Sequence, residues 1–171
     1  MRKKYILAID PGTTESAYVL AEYPSMKPFL FDKIENDEMI VMIRNICLGY
    51  ELEFAVIEKI GSYGMPVGQE TLDTCEWIGE FRRALKDKGH KPVMIFRRQE
   101  KQCICHDMRA NDATIRQALI DRFAYGVPNK GKGTKKEPGF FYGFRADVWQ
   151  AFAIAVTAAE IIEDVIGGTR T

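Results

Sequence analysis

Three runs of strand-forming residues fill the first 34 residues, and their order restricts the folds that this chain can adopt. They cover residues 4–10 (KYILAID), 16–22 (SAYVLAE) and 28–34, with a proline in each intervening turn. Short apolar and β-branched runs bounded by turn residues are typical of strands. Because the turns are short, we expect these strands to pair as an antiparallel meander.

Helical and strand-like patterns alternate through the rest of the chain. Apolar residues recur at helical spacing in residues 37–48, 68–88, 112–124 and 146–166, and short apolar runs occupy residues 54–60 and 93–96. Asn36 and Asp37 are candidate caps of the first helix. Strands that are separated by helices pair in parallel through right-handed crossovers. The order predicts an α/β fold, a mixed five-stranded sheet with helices on both faces.

Residues 126–145 (GVPNKGKGTKKEPGFFYGFR) differ from the rest because they are rich in Gly, Pro and Lys and show little periodicity. Such a composition indicates a loop, and we expect a mobile, basic one. The total length suits one domain, so residues 1–171 are interpreted as a single unit that carries this loop.

The net charge of zero conceals an uneven distribution of charge. Residues 81–145 hold 16 Lys and Arg against 6 Asp and Glu, whereas the remainder holds 8 against 18. Such segregation can create a phosphate-facing surface and a separate carboxylate cluster. The alternative is that the charges are scattered over a solvated surface.

Bulk features indicate the compartment. No apolar run is long enough to span a bilayer, and the basic start is not followed by a signal-peptide pattern, so we expect a cytoplasmic protein with no membrane partner. In that compartment the four cysteines are expected to be reduced thiols. Cys103, Cys105 and His106 do not offer the four well-spaced ligands of a closed zinc site.

Three acidic residues occur in apolar surroundings. Asp10 ends the first strand, Glu58 lies inside the run 54–60, and Asp147 begins the most apolar helix. Buried carboxylates are costly unless they are paired or bind a metal. Each also has a structural interpretation, as a turn residue, an outward-facing strand residue and a first-turn acid respectively. Together they suggest a shared site for Mg²⁺, a hard ion that activates water and stabilises charge in phosphodiester cleavage.

Four segments of the chain, in order, resemble RuvC-type Holliday junction resolvases. They are ILAIDPGTT at 6–14, AVIE at 55–58, the segment 101–112 and ADVWQAFAIA at 146–155. Residues 133–143 are most similar to the phage and prophage branch of that family. The resemblance implies an RNase H-like fold, a homodimer, and Mg²⁺-dependent cleavage of four-way DNA junctions, with Mn²⁺ able to substitute.

The resemblance also carries over site residues. Asp10, Glu58 and Asp147 match three of the four acids that the family uses. The fourth position holds Gln150, which would be a weak neutral ligand or a hydrogen-bonding neighbour of the ligands. This departure leaves the strength of the second metal site open.

Several residues are candidates for contacts with DNA. Lys101 matches a basic position of the family, whereas a second such position holds Asp112. Other phosphate contacts could come from Arg97, Arg98, Arg109, Lys130, Lys132, Lys135 and Lys136, although the lysines could instead only keep a loop soluble. Tyr63 or Met65 could supply the apolar wedge that the family inserts at the junction centre, or could belong to a packed loop.

Three other functions compete with junction resolution. Residues 10–14 also resemble the first phosphate loop of actin-like and sugar-kinase ATPases, but these need a second such domain. Another nuclease of the same fold, acting on flaps, other branched DNA or RNA–DNA hybrids, would use the same acids. A protein that binds junctions without cutting them would explain the neutral Gln150.

Overall fold

The structure, a computed structural model, describes residues 3–62 and 64–168. Within these ranges five strands lie close to the predicted positions: β1 Lys4–Asp10, β2 Glu15–Tyr23, β3 Pro28–Glu35, β4 Glu51–Lys59 and β5 Val93–Phe96. The α-helices are α1 Asn36–Gly49, α2 Gln69–Lys86, α3 Arg97–Glu100, α4 Asp112–Phe123 and α5 Ala146–Gly168. None of the helices in the described ranges is both long and apolar enough to cross a bilayer.

The five strands form one sheet in the order β3-β2-β1-β4-β5. β1 pairs antiparallel with β2, and β2 with β3, while β4 pairs parallel with β1 and β5 parallel with β4. The predicted mixed five-stranded sheet is therefore confirmed. Because β1, β4 and β5 run in the same direction, their carboxyl ends meet at one edge of the sheet.

Two apolar cores cover the two faces of the sheet. Ile6 and Ala8 of β1 pack into the core that contains α4 and α5. Leu7 and Ile9 alternate with them and pack into the core that contains α1 and α2. All four β1 side chains are completely buried. This alternation follows from the two-residue period of a strand and confirms the predicted helices on both faces.

Residues 97–105 form a helical segment that the sequence pattern did not indicate. The single turn α3 continues into a π-helical turn, Lys101–Cys105, which ends at His106 in the left-handed conformation with φ of 52°. The segment is too short, and its first residues too polar, to show an apolar stripe. It begins directly after β5 and so starts at the carboxyl edge of the sheet.

The basic loop at 126–145 has more internal structure than its composition suggests. The amide of Gly139 donates to the carbonyl of Lys132 at 2.8 Å, and that of Phe141 donates to Gly131 at 3.0 Å. Phe141 and Phe144 are fully buried. Gly131 has a φ of +78°, and a Cβ there would lie 2.8 Å from the Phe141 ring. The mobility of this loop stays a prediction.

Candidate active site

Asp10 and Glu58 lie side by side at the carboxyl edge of the sheet. Ile9 is paired with Ile57 in the parallel ladder, so the residues that follow them are neighbours on adjacent strands. The two carboxyl groups share a hydrogen bond. The regular pairing of β1 with β4 therefore brings together two acids that are 48 positions apart in the sequence.

A buried hydrogen-bond network holds the turn that follows Asp10. The amide of Gly12 donates to Ser16 Oγ at 3.1 Å, the Ser16 hydroxyl donates to Asn36 Oδ1 at 2.6 Å, and Asn36 Nδ2 donates to the Gly12 carbonyl at 3.0 Å. Asn36 was a candidate cap, but it is the first residue of α1, and the cap position falls on Glu35. It connects the start of that helix to the β1–β2 turn instead.

Asp147 reaches the same edge from the first turn of α5. Its Oδ2 lies 2.7 Å from Lys33 Nζ, and its side chain is 45% exposed. The same ammonium group lies 3.7 Å from Glu15. The third predicted acid is thus accessible to solvent and already has a cation from β3 beside it.

A fourth acid, Glu100, was not predicted as part of the site. It ends α3, is completely buried, and pairs with Arg97 Nη1 at 3.0 Å. Its Oε1 atom has no hydrogen-bond partner among the described residues. The residues around it are RRQEK, a run of charges that is typical of a solvated segment, so no sequence signal distinguished it.

Gln150 connects the acids of two different elements. Its Nε2 amide donates to Glu58 Oε2 at 3.3 Å and to Glu100 Oε2 at 2.6 Å. It lies one helical turn after Asp147, on the side of α5 that faces the sheet edge. Position 150 therefore supplies hydrogen bonds to two carboxylates and no charge of its own.

The pKa values of the buried carboxyls are shifted upward. Burial raises the pKa of Asp10 well above its usual value, and the charge of Glu58 and their shared hydrogen bond raise it further. Burial likewise raises the pKa of Glu58, against the hydrogen bond from Asp10 and the charge of Arg97. Burial and the charge of Glu58 raise the pKa of Glu100 to about 8. The cluster is thus short of positive charge.

A cleft of about 550 Å³ opens at this edge of the sheet. It is lined by the three predicted acids and Gln150, and by Arg97, Asp112, Ile115, Arg116, Ala146 and Trp149. Asp10 and Asp147 also border a second depression along the β1–β2 turn. The fold therefore brings the three predicted acids to one place.

The donor set of this cleft fits a hard divalent cation. The acids that line the cleft offer carboxylate oxygens, the ligands that Mg²⁺ prefers. Close by, the buried Oε1 of Glu100 has no hydrogen-bond donor among the described residues. As the side chains now point, no three His, Cys, Asp or Glu residues in 3–62 and 64–168 are arranged to hold a metal. Asp147 is turned toward Lys33, and Glu58 toward Gln150, so uptake of a metal would need these contacts to be exchanged.

The four basic residues predicted between β5 and α4 have different surroundings. Arg97 lines the cleft, where its guanidinium pairs with one buried and one exposed carboxylate. Arg98 is exposed and Lys101 partly exposed. Arg109 is exposed and lies near the neighbouring Asp107. Of these four, only Arg97 is placed to reach a phosphate inside the cleft.

The predicted lysines of the basic loop lie farther from the acids. Lys130, Lys135 and Lys136 are exposed and Lys132 partly so, and none of them has an ion pair with a described residue. The loop follows the end of α4 that is remote from the cleft, and a helix of 12 residues is about 18 Å long. These lysines are therefore placed for phosphates well away from the acids.

Arg116 was not predicted from the sequence. It lines the cleft, its guanidinium carbon lies 5.4 Å from the centre of the Trp149 ring, and its buried Nε has no hydrogen-bond partner in the described part of the chain. Its position one turn after Asp112 on α4 was the available signal, because residues four apart share a helix face.

The two candidates for an apolar wedge have different outcomes. Tyr63 lies outside the described residues. Met65, in the connection between β4 and α2, is 72% exposed. It borders a shallow depression with Val67 and Leu72. Its exposure is compatible with insertion between DNA bases. The role of Met65 as a wedge stays a prediction.

Sequence comparison gives no relative for this chain. No protein-family model matches it. No curated protein matches it in sequence either. The relationship to known proteins therefore rests on the comparison of folds.

Two solved structures share the fold over nearly the whole length of both chains. T. thermophilus RuvC in complex with Holliday junction substrate matches with a TM-score of 0.69 at 14% identity, covering 92% of this chain and 94% of that one. A structure of Thermus thermophilus RuvC alone matches with a TM-score of 0.63 at 16% identity, covering 95% and 96%. Membership of the phage branch stays a prediction. The chain is RuvC-like in fold, with the RNase H-like architecture that its sequence predicts.

Proposed function

We propose that this protein is a metal-dependent DNA endonuclease that resolves four-way junctions by hydrolysing phosphodiester bonds. One observation carries the proposal: Asp10, Glu58 and Asp147, predicted from three separate segments, line a single cleft. A similar fold alone would not require acids at these three places, since one fold can serve unrelated functions.

The chain's own residues would divide the work of cleavage. Asp10, Glu58 and Asp147 would hold Mg²⁺, or Mn²⁺ in its place, and the ion would activate the attacking water and stabilise the leaving oxygen. Arg116 lines the same cleft, and its buried Nε has no hydrogen-bond partner among the described residues. A phosphate oxygen would satisfy it with a charge-assisted hydrogen bond.

The choice of a four-way junction rests on two supports. One of the solved structures with this fold is RuvC in complex with a Holliday junction substrate, and the sequence motifs resemble those of junction resolvases. A junction has two equivalent strands to cut, so we propose that the protein acts as a homodimer with one cleft for each strand.

The test is cleavage of a synthetic four-way junction by the purified protein with Mg²⁺, beside a linear duplex of the same sequence. We expect paired nicks at symmetric positions, no cleavage in EDTA, and binding without cleavage by Asp10→Asn. The rate should fall at least about 100-fold in that variant, because a ligand carboxylate is lost without a change of shape. Sedimentation of the protein–junction complex checks for two chains per junction.

Each other outcome selects a different function. Equal cleavage of the linear duplex would reject junction resolution and leave another nuclease of this fold. Tight junction binding with no cleavage in Mg²⁺ or Mn²⁺ would indicate a non-catalytic binder, the function that the neutral Gln150 favours. If Asp10→Asn cleaved at the parent rate, the proposed metal site would be wrong.

A further inference from the structure

Glu100 is anomalous for a residue that has only a structural role. Its side chain is completely buried, and only one of its two carboxylate oxygens is hydrogen-bonded to a residue in 3–62 or 64–168. Arg97 contacts that same Oε2 atom and is itself shared with the exposed Asp112. Buried carboxylates are normally paired and hydrogen-bonded at both oxygens or bound to a metal. The described residues provide no partner for Oε1, so we expect its partner to be a bound cation or donor.

The hydrogen bonds of Gln150 place Glu100 next to Glu58, one of the predicted metal ligands. One amide nitrogen donates to both Glu58 and Glu100, so their two Oε2 atoms cannot be farther apart than those two hydrogen bonds placed end to end. The charge of Glu100 also raises the pKa of Asp10. Glu100 thus lies next to Glu58 and acts electrostatically on Asp10, and both of these acids line the cleft.

The local backbone explains how an acid from this segment comes to lie beside Gln150 and Glu58, which line the cleft. α3 begins directly after β5, at the sheet edge where Asp10 and Glu58 lie, and turns Glu100 inward beneath α5. A π-helical turn follows immediately. Single π-helical turns are frequent at functional sites, because they reorient the side chains beside them.

We infer that Glu100 supplies a fourth carboxylate to the metal site and that Gln150 positions it there through its amide. The inference rests on the proposed metal-dependent function. It gives the neutral residue at position 150 a role, since the charge missing from α5 is provided by α3. Glu100 would contact the cation, whereas Gln150 would be a positioning residue.

Metal binding by the full chain, measured without DNA, tests the inference independently of cleavage. Titration of Mn²⁺ by calorimetry should show an affinity about 10- to 100-fold weaker in Glu100→Gln, which keeps the shape and removes the charge. The rise in Tm with added Mn²⁺ should shrink in parallel. Far-UV circular dichroism and the Tm in EDTA establish that the variant is folded.

Glu160→Gln is the matched control for this substitution. Glu160 is a partly buried glutamate on α5 that pairs with Arg122, outside the cleft. Its variant should bind Mn²⁺ with the parent affinity to within about twofold. If Glu100→Gln also bound Mn²⁺ as the parent does, Glu100 would have only a structural role and the inference would be wrong.

A charge relocation gives a second, stricter test. In the double variant Glu100→Gln, Gln150→Asp, the carboxylate moves from α3 to α5 while the number of acids is unchanged. We expect Mn²⁺ affinity to recover to within about tenfold of the parent, because an acid at position 150 lies beside the same carboxylates. A double variant no better than Glu100→Gln alone, with a normal Tm in EDTA, would contradict the idea that the two positions share one role.

The two proposals fail in different ways. Weaker Mn²⁺ binding by Glu100→Gln in a protein that cuts no DNA would support the fourth ligand and reject the nuclease. Cleavage that depends on Asp10, with unchanged Mn²⁺ binding and cleavage in Glu100→Gln, would support the nuclease and reject the fourth ligand.

Discussion

At the scale of single residues, the buried carboxyl groups determine how the metal-free protein responds to pH. Glu100 is faced by Arg97 from its own helix, by Glu58 from β4, by Gln150 from α5 and, through space, by Asp112 of α4. Only one of these neighbours is a cation. The folded protein therefore retains protons on this cluster at pH values where an unfolded chain would have lost them.

This imbalance predicts that, in EDTA, the stability of the protein falls as pH rises from about 5 to about 8. Glu100 has a pKa of about 8 when folded and one near 4.3 in an unfolded chain. Between these values the folded state binds more protons, so the free energy of unfolding decreases with increasing pH. The Tm, measured at constant ionic strength, should therefore decrease across this range.

Glu100→Gln should flatten that dependence, because the substituted amide does not titrate. A loss of 1 kcal/mol corresponds to about 2–4 °C in Tm for a chain of this size, so the difference is measurable. The explanation would be refuted by a Tm that rises between pH 5 and pH 8, or by the same slope in parent and variant.

The residues of the site differ in how far sequence reveals them. Asp10 and Glu58 interrupt apolar strands, and Asp147 starts an apolar helix, so their type conflicts with their surroundings. Glu100 sits among polar neighbours, and its burial is produced by the way α3 packs under α5. Contacts of that kind depend on tertiary packing, which a pattern along the chain does not record.

At the scale of elements, the turn between β1 and β2 controls where Asp10 points. Gly12 donates to Ser16 and accepts from Asn36, so the turn is tied both to β2 and to the start of α1. A Cβ at Gly12 would lie 2.2 Å from the carbonyl oxygen of Glu15. The turn can therefore accept a side chain at this position only by opening.

We predict that Gly12→Ala destabilises the protein by about 1–3 kcal/mol, the usual cost of forcing extra atoms into a packed site. Cleavage should also decrease, because the opened turn displaces Asp10. Gly79→Ala is the control: Gly79 lies within α2 with nothing within 4 Å of a new Cβ, and alanine should stabilise that helix by about 0.5–1 kcal/mol. Urea denaturation measures the free energy of unfolding of both variants. If Gly12→Ala changed it no more unfavourably than Gly79→Ala, the turn would not exclude a side chain at position 12.

The elements themselves were largely predictable because most are long enough to show their periodicity. All five strands and four of the helices could be assigned from alternation and helical spacing. α3 and the π-helical turn were not, since nine polar and mixed residues do not complete an apolar stripe. The loop at 126–145 has Gly, Pro and Lys as its obvious features, while Phe141 and Phe144, which anchor it, resemble ordinary aromatic residues in a loop.

At the scale of the whole molecule, the sheet topology divides the basic segment 81–145 into two groups. α2 leads from the carboxyl end of β4 back to the amino end of β5, so Lys86, Lys88 and Lys91 lie at the edge of the sheet opposite the cleft. The chain returns to the cleft at Arg97 and stays there to Arg116, whereas the loop lysines follow the end of α4 that is remote from the cleft. The segregation of charge along the sequence is therefore only partly preserved in the fold.

We predict that the lysines of the basic loop bind phosphates away from the cleft, whereas the lysines around the start of β5 do not bind DNA. Replacing Lys130, Lys135 and Lys136 by Ala should weaken junction binding and reduce the slope of log K against log salt by about 0.9 for each phosphate that is no longer neutralised, up to about 2.7. Replacing Lys86, Lys88 and Lys91 removes the same charge between α2 and β5 and should leave the slope unchanged. Junction binding by the parent and both triple variants is measured from 50 to 200 mM salt. If the loop variant had the same slope as the parent, the basic loop would only add solubility.

The ion pair between Lys33 and Asp147 has a consequence for how the site fills. The ammonium group of Lys33, on β3, is the counter-ion of the Asp147 carboxylate in this structure. On the proposed function, Asp147 would hold a divalent ion only after exchanging its contact with Lys33. The ammonium group of Lys33 would then be available to pair with a phosphate of the nucleic acid backbone.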